Sequence, residues 1–155
     1  MKVSLRPAGP SDDAFLLDVY ASTRTDELAE VPWSDDQKRA FVALQFQAQQ
    51  RAYRAYEGAT FDVIVQDGEP VGRLYVARWP AEIRIMDIAL LPAHRNRGIG
   101  SQLIRDLQGE AAASGHPLTI HVERFNPALR LYERLGFQIA AERDHVYLLM
   151  RWEGA

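Results

Sequence analysis

The stretch from Ile83 to Leu107 reads IRIMDIALLPAHRNRGIGSQLIRDL and predicts a strand, a short basic turn and a helix. The first part is an apolar run of strand-like length. Pro92 ends this run because proline has no N–H to donate to a neighbouring strand. After the turn, apolar residues recur at helical spacing, at Leu103, Ile104, Leu107 and Ala111, so we expect a helix that begins near Gly98 or Gly100.

The turn Arg95-Asn96-Arg97-Gly98-Ile99-Gly100 has the composition of an anion-binding site. Glycines let a ligand approach the backbone closely, and a helix start presents unpaired N–H groups with partial positive charge. A pyrophosphate is the anion that suits it best. The turn alone also allows a simple tight connection with solvated arginines. It lacks the Gly-Lys-Ser/Thr ending of a P-loop and the third glycine of a dinucleotide fingerprint. The turn therefore supports neither ATP hydrolysis nor NAD binding.

Length and composition indicate one ordinary globular domain, expected to span residues 1–155. The sequence is 47% hydrophobic and 25% charged, with a net charge of −3. An acidic balance argues against a nucleic-acid or anionic-membrane partner for the surface as a whole. The positive cluster of Arg95, Arg97 and Arg105 therefore stands out as a local feature.

The sequence disfavours a metal site, a signal peptide and a membrane span. Cysteine is absent, and the histidines His94, His116, His121 and His145 form no close ligand pair, so no metal is expected. No apolar run has the length of a signal-peptide core or of a membrane span. A soluble cytoplasmic protein is the resulting expectation.

In the first half of the chain, a short strand ending at Pro7 is followed by two predicted helices. The first is expected to start with Ser11 as N-cap, and the segment from Arg24 to Pro32 is expected to be a loop or a broken helix. Ser34 and Gln37 form a capping-box pattern. The second helix should extend to about Tyr56, with an apolar face made of Phe41, Leu44, Ala48, Ala52 and Tyr56.

The remaining elements follow from turn signals. Asp67-Gly68 between β-branched runs predicts a hairpin, since both positions tolerate positive φ. The strand from Pro117 to Glu123 comes after a helix and should pair in parallel with the strand before that helix. Asn126-Pro127 predicts a helix that begins with a cap and a proline and ends at Gly136, and two final strands follow.

Two motifs together resemble the GNAT superfamily of acyl-CoA-dependent N-acetyltransferases. They are Arg95-x-x-Gly98-x-Gly100 and, about thirty residues later, the segment from Asn126 to Phe137 with its Leu131-Tyr132-Glu133-Arg134-Leu135-Gly136-Phe137 ending. The resemblance implies an α/β (α+β) fold with a mixed, mostly antiparallel seven-stranded sheet flanked by helices and splayed central parallel strands. It also implies acetyl-CoA as co-substrate and no metal.

The resemblance places the pantetheine arm along Ile88, Ala89 and Leu90. It assigns the pyrophosphate to Arg95, Arg97, Gly98, Ile99, Gly100 and Ser101. Tyr132 matches the tyrosine that serves as general acid to the leaving thiolate, although an aromatic residue packing with Leu135 and Phe137 explains it as well. Asn126 matches an asparagine that touches the cofactor, and it is equally suited to cap a helix.

The chemistry of amine acetylation also asks for a base, because an amine attacks only in its neutral form. The candidates are Asp87, His121 and Glu123, and a structural role is an alternative for each. The family resemblance also allows a chain of water molecules in place of a single base. Strand alternation places His121 and Glu123 on one face. Asp87 lies within an apolar strand, where a carboxylate is uncommon unless it is paired or lies in a cleft. Its pairing partner could be Arg84, Arg73 or Arg6.

The acceptor pocket implied by the family involves Arg24, Glu27, Trp33, Phe46, Gln50 and Tyr75. Glu27 suits a cationic amine, whereas Arg24 suits a carboxylate, and the sequence does not choose between them. The expected activity is transfer of an acetyl group from acetyl-CoA to a primary amine, on a small molecule or a protein, by direct transfer in a ternary complex. A homodimer is compatible with this interpretation. The alternative is a non-catalytic acyl-CoA-binding module.

Overall fold

A computed structural model describes residues 2–154 of the chain. In chain order the strands are β1 (Val3–Pro7), β2 (Ala59–Gln66), β3 (Glu69–Arg78), β4 (Ile83–Leu90), β5 (Leu118–Glu123), β6 (Gln138–Arg143) and β7 (Tyr147–Trp152). The helices are α1 (Asp13–Ala29), α2 (Asp35–Arg54), α3 (Ile99–Ser114) and α4 (Leu129–Arg134). Short 3₁₀ turns at Pro10–Asp12 and Pro92–His94 precede α1 and follow β4.

The seven strands form a mixed sheet in the order β1-β2-β3-β4-β5-β7-β6. The pairs β1–β2, β5–β7 and β6–β7 are antiparallel, and β4–β5 is parallel. The parallel ladder joins Ile83 to Leu118, Arg84 to Thr119 and Ile85 to Ile120. This mixed, mostly antiparallel sheet with helices confirms the predicted fold class.

The chain divides into two compact units. One contains the chain up to Tyr75 together with Asp87–Arg95, and the other contains Val76–Met86 and the chain from Asn96 onward. In the first unit the core cluster comprises Leu16, Tyr20, Val42, Phe46 and Val63. In the second, α3 packs on β5 and buries its apolar face, made of Ile99, Leu103, Ile104, Leu107 and Ala111.

The turn chemistry behaves as the sequence predicts. Asp67 and Gly68 both have positive φ, 50° and 87°, in the hairpin between β2 and β3. Ser34 accepts a hydrogen bond from the Gln37 N–H at 3.1 Å, and Gln37 Oε1 accepts one from the Ser34 N–H at 2.9 Å. The capping box that starts α2 is thereby confirmed, because both of its reciprocal bonds are present.

Three local predictions are wrong. Ser11 is not an N-cap, since the 3₁₀ turn before α1 starts after Gly9. The segment Arg24–Pro32 is neither a loop nor a broken helix at its start, because α1 continues to Ala29, stabilised by the i,i+3 ion pair of Arg24 with Glu27 at 2.9 Å. The helix predicted to open at Asn126-Pro127 begins at Leu129, with Ala128 as N-cap.

The apolar face predicted for α2 is not the face that this helix buries. The residues that α2 buries are Val42 and Phe46, whereas Phe41 and Leu44 are 36% and 68% exposed. Spacing along a helix identifies an apolar stripe but cannot decide which of two stripes faces the core. Among the described residues, no helix has the length and apolar character needed to cross a membrane.

Candidate active site

The turn before α3 holds the helix start open toward solvent. Gly98 is the N-cap residue and has φ of 85°, in the left-handed region that glycine adopts without strain. The first intrahelical bond of α3 runs from the Gln102 N–H to the Gly98 carbonyl at 3.0 Å. The N–H groups of Ile99, Gly100 and Ser101 therefore lack a carbonyl partner within the helix and are available to an anion.

Gly98 and Gly100 differ in why glycine suits each position. A Cβ atom added at either position would meet no atom within 4 Å. Gly98 is required by its positive φ, but Gly100 has no such φ, so the fold would accept a side chain there. The open space beside Gly100 fits a group that must approach the backbone closely. The side chain of Ile99 is fully buried and anchors the turn.

At the other end of the predicted cofactor segment, β4 lies very close to β3. A Cβ atom added to Gly72 would lie 2.3 Å from the Ala89 carbonyl oxygen and 3.1 Å from the Leu90 Cα. Only glycine permits this approach. The predicted pantetheine-binding residues Ile88, Ala89 and Leu90 form the last three positions of β4 and are half-buried.

Arg95 folds back onto the end of β4. Its Nε donates to the Leu90 carbonyl at 2.9 Å, and its Nη2 donates to Ser22 Oγ at 3.3 Å. Arg95 thus fixes the end of β4 to α1 in this structure. Arg97, the second predicted phosphate ligand, is exposed.

Asp87 is held by a buried polar network in the first unit. Arg73 is 1% exposed, and its Nη2 donates to Asp87 Oδ2 at 2.7 Å and to Gln49 Oε1 at 2.9 Å. Arg73 Nε lies 3.4 Å from Asp87 Oδ1, and the Tyr53 hydroxyl lies 3.3 Å from Oδ2. Burial is the main reason that the pKa of Tyr53 is raised, and the charge of Asp87 adds to it.

This network selects among the three partners considered for Asp87. Arg73 forms the ion pair, whereas Arg6 pairs with Asp12 and Arg84 pairs with Glu82. Within residues 2–154, Arg73 Nη1 is a buried side-chain nitrogen with no hydrogen-bond partner. Gln49 and Tyr53 were not among the residues selected from the sequence, because the pattern of α2 alone does not show that they face a carboxylate on β4.

His121 and Glu123 share the exposed face of β5, as alternation predicts. Arg84 Nη1 lies 3.2 Å from His121 Nδ1, and Arg84 Nε donates to Thr119 Oγ1 at 2.6 Å. Partial burial, and then the positive charge of Arg84, lower the pKa of His121. A neutral ring that accepts from Arg84 at Nδ1 carries its proton on Nε2, so His121 presents a hydrogen-bond donor.

Glu123 differs from the other two candidate bases. Its carboxylate is exposed and accepts no hydrogen bond from any residue in the described part of the chain. Both oxygens of Asp87 already lie near donors, and His121 is engaged at Nδ1. Glu123 is therefore the candidate whose lone pairs remain available to a proton.

Tyr132 lies in the second unit on α4 and is 5% exposed. Its ring packs edge-on against Phe137, with 5.8 Å between centroids, as expected for an aromatic in the core. Asn126 Oδ1 accepts from the Ala128 N–H at 2.9 Å, and the Asn126 carbonyl accepts from the Leu129 N–H at 3.0 Å. Asn126 thus stabilises the turn that leads into α4, although it is not the N-cap.

The residues predicted for the acceptor pocket fall into several places in the first unit. Arg24 pairs with Glu27 and donates to the Tyr20 hydroxyl at 3.2 Å, so the cation and the anion partly neutralise one another. Trp33 packs edge-on against Phe41 at 5.2 Å. Phe46 and Gln50 line a cavity of about 690 Å³ between α1 and α2, while Tyr75 is buried and donates to Gln50 Oε1 at 3.0 Å.

Known structures share this fold over nearly the whole chain. The PaiA N-acetyltransferase from Thermoplasma acidophilum, solved in complex with coenzyme A, is 15% identical with a TM-score of 0.74, and the match covers 99% of this chain and 100% of that one. The ribosomal-protein-S18-alanine N-acetyltransferase from Escherichia coli is 21% identical with a TM-score of 0.65, and the match covers 98% and 94%.

Sequence comparison adds a nearer relative and a family. Streptothricin acetyltransferase from Streptomyces lavendulae is 37% identical over 97 residues, which are 59% of this chain and 50% of that protein, so the match spans half the length of the relative. The model of the acetyltransferase (GNAT) family matches residues 21–137, from α1 to the residue after Gly136. This range includes both motifs and the turn at Gly98, and the chain belongs to the acetyltransferase (GNAT) family.

Proposed function

We propose that this protein transfers an acetyl group from acetyl-CoA to a primary amine, directly between the two substrates in a ternary complex. The observation that supports this most is the start of α3, where a left-handed glycine leaves three consecutive N–H groups without a helical partner. A pyrophosphate carries the charge and the oxygen acceptors that such a turn binds. Family membership supplies the acetyl chemistry.

The proposed cofactor contacts follow the chain from β4 to α3. The backbone of Ile88, Ala89 and Leu90 holds the pantetheine arm, and the pyrophosphate is bound by Arg97, Gly98, Ile99, Gly100 and Ser101. Arg95 joins them by exchanging its bond to the Leu90 carbonyl for the phosphate, and that exchange releases the carbonyl for the pantetheine amide. Asn126 and Tyr132 complete the proposed set.

The proposed catalytic roles rest on the hydrogen bonds described above. Glu123 accepts the proton of the amine, because its carboxylate has lone pairs available. His121, with its proton on Nε2, donates a hydrogen bond to the oxygen that becomes negative during attack. Tyr132 gives its proton to the leaving thiolate. The ion pair of Asp87 with Arg73 fixes the position of β4, the strand that holds the thioester in this proposal.

The acceptor is proposed from the relative in Streptomyces lavendulae, whose name gives streptothricin as the compound that it acetylates. Streptothricin should therefore be included in a screen of diverse primary amines that measures release of CoA. Amine-dependent release supports acetyl transfer. Tight binding of acetyl-CoA without release over any amine would contradict it and would favour a binding module.

Gly100→Glu tests the cofactor site without straining the backbone, since Gly100 has space for a side chain. We expect acetyl-CoA to raise the melting temperature of the wild type, because a ligand that binds only the folded state stabilises it. The glutamate should remove this shift by blocking the backbone and repelling phosphate. Gly109→Glu is the matched control, on an exposed position of the same helix. An unchanged shift in Gly100→Glu would overturn the proposed site.

A further inference from the structure

A closed triangle of hydrogen bonds lies in the second unit, where β4 and β5 begin side by side. Arg84 and Thr119 are partners in the parallel ladder. Arg84 Nε donates to Thr119 Oγ1 at 2.6 Å, and Arg84 Nη2 donates to Glu82 Oε2 at 3.1 Å. The Thr119 hydroxyl donates in turn to the same Glu82 oxygen. The three side chains of this triangle therefore hold one another in place.

The triangle is shielded from solvent, and this shielding fixes the guanidinium of Arg84. Thr119 is 2% exposed, and the side chain of Arg84 is 16% exposed. The guanidinium lies over the indole of Trp79, with 5.3 Å between Cζ and the centroid, as in a cation–π contact. The Trp79 N–H donates to the Glu82 carbonyl at 2.9 Å, so the turn before β4 places both residues beside Arg84. Charge-assisted hydrogen bonds away from water hold a side chain firmly.

Arg84 has a further donor that faces His121. Arg84 Nη1 lies 3.2 Å from His121 Nδ1, and His121 is two residues beyond Thr119 on the same face of β5. Because Nε and Nη2 belong to the triangle, contacts that do not involve His121 aim Nη1 at the imidazole. Arginine can only donate, so His121 Nδ1 accepts and the proton of the neutral imidazole lies on Nε2.

Charged side chains share the face of the sheet on which His121 lies. They are Arg84 on β4, Glu82 directly before it, Arg143 on β6, Arg151 on β7 and Glu123 on β5. Burial, and then the charge of Arg84, lower the pKa of His121, while Glu82 opposes this effect and Arg143 adds to it. Arg151 is paired with Glu153. A neutral His121 leaves the negative charge of Glu123 uncompensated on β5.

We propose that Arg84 is the positioning residue for His121, and that its triangle with Thr119 and Glu82 presents the Nε2–H of a neutral imidazole to the thioester oxygen. This inference rests on the proposed function, in which His121 donates to that oxygen. Arg84 does not touch the substrates. A neutral imidazole can stabilise a developing oxyanion, and an imidazole that turned freely would meet the oxygen only part of the time. Arg84 therefore contributes to the rate and not to binding.

NMR titration of the ¹⁵N-labelled chain tests the contact itself. In the wild type, His121 should titrate below its ordinary value of 6.5, with Nδ1 unprotonated. Arg84→Gln should raise the proton affinity of His121 by about threefold or more and shift the Nδ1 resonance, because a positive charge is removed while Glu82 remains. Arg78→Gln is the matched control. Arg78 lies in the same unit and pairs with Glu110, so this variant loses the same charge and should leave His121 unchanged.

Kinetics test whether the contact serves the reaction. With an amine from the screen, Arg84→Gln should lower kcat about tenfold and leave the KM for acetyl-CoA unchanged. Thr119→Val should lower kcat in the same way, although the Thr119 hydroxyl makes no hydrogen bond to His121 among residues 2–154. Thr119→Ser restores the hydroxyl and should keep the wild-type rate. Circular dichroism and melting temperature check that each variant is folded.

The outcomes separate this inference from the proposed function. A His121 titration that Arg84→Gln leaves unchanged would overturn the inference, as would a Thr119→Ser rate as low as that of Thr119→Val. A shifted titration with unchanged kcat would show that His121 is not the donor, and Arg84 would then have no positioning role. A wild type that releases no CoA with any amine would contradict the proposed function, whereas the NMR titration would still decide whether Arg84 holds His121.

Discussion

At the scale of single residues, the structure separates carboxylates that are already engaged from those that are available. Asp87 is held by Arg73 near both of its oxygens, whereas the side-chain carboxylate of Glu123 accepts no hydrogen bond from the described residues. Both are carboxylates on strands, and the sequence offers them as equal candidates for the base. The difference arises from a buried arginine on β3, a strand that precedes β4 in the chain.

Glu123→Gln should lower kcat by about 100-fold or more, because a positioned base contributes that much to a proton transfer. The rate should recover at high pH, where the free amine is neutral without help. The measurement is kcat/KM against pH for an amine from the screen. His121→Gln is the comparison, and it should lower the rate without moving the acidic limb. If instead Asp87→Asn moves that limb and Glu123→Gln does not, the base is misassigned.

Asp12 makes a separate prediction about acid stability. Its pKa is lowered from 3.8 to about 2, first because Arg6 donates to the carboxylate and then because the Gly9 N–H does. The unfolded chain therefore takes up a proton before the folded chain as pH falls. The contribution to stability is complete above pH 3.8 and is lost as pH falls through about 2.

Asp12→Asn should thus lower the free energy of unfolding at pH 7 by about 1–2 kcal/mol, the lower part of what the shift allows, since Arg6 is partly exposed. Urea denaturation at pH 7 and near the folded pKa checks this. The gap between wild type and variant should narrow at the acidic pH. Asp18→Asn, on the exposed side of α1, should change little at either pH. A gap that is independent of pH would show that the ion pair is not its cause.

At the scale of elements, turns and helix caps were predictable from the sequence, but the face that each helix buries was not. Asp67-Gly68 and Ser34 act through atoms a few residues away, so the sequence is enough to place the hairpin and the start of α2. The buried face of α2 depends on what packs against it, and the stripe with Phe41 and Leu44 resembled a core face. The same limit applies to the site. The glycine turn could be predicted because its residues are neighbours in the chain, whereas the network around Arg73 joins residues that are far apart in the chain.

Gly72→Ala should destabilise the protein by about 2 kcal/mol or more, because the added methyl would lie 2.3 Å from the Ala89 carbonyl oxygen and backbone must move to admit it. The shift in β4 should also weaken acetyl-CoA binding. Chemical denaturation and a thermal-shift titration measure the two effects. Gly109→Ala, in a helix with open space around it, should instead be neutral or stabilising. A Gly72→Ala protein with normal stability would show that β3 and β4 are less tightly apposed.

At the scale of the whole molecule, the acidic net charge of −3 and the local basic turn act on a charged ligand in opposite directions. Coenzyme A carries several negative charges, so the molecule as a whole repels it weakly and the turn attracts it. In the proposed site, the attraction comes from short-range contacts with Arg95, Arg97 and the helix start. Salt screens exposed charges of both signs.

Binding of acetyl-CoA should therefore weaken as salt rises, because the turn outweighs the distant acids at contact distance. Calorimetric titrations at low and high sodium chloride measure the slope. Arg97→Gln should weaken binding at low salt and reduce the salt dependence, while Arg97→Lys should keep most of both. A slope of the opposite sign would mean that overall charge governs binding.

The two glycines of the turn have a consequence for how this sequence can drift over generations. The positive φ of Gly98 favours glycine whether or not a ligand binds, whereas Gly100 has room for a side chain and, in the proposed site, is constrained by the pyrophosphate that approaches it. A lineage that abandoned acyl-CoA would lose the selection at Gly100 first and keep Gly98 as long as it kept the fold. A descendant that has a bulky residue at position 100 and keeps glycine at position 98 would thus be expected to have lost the activity.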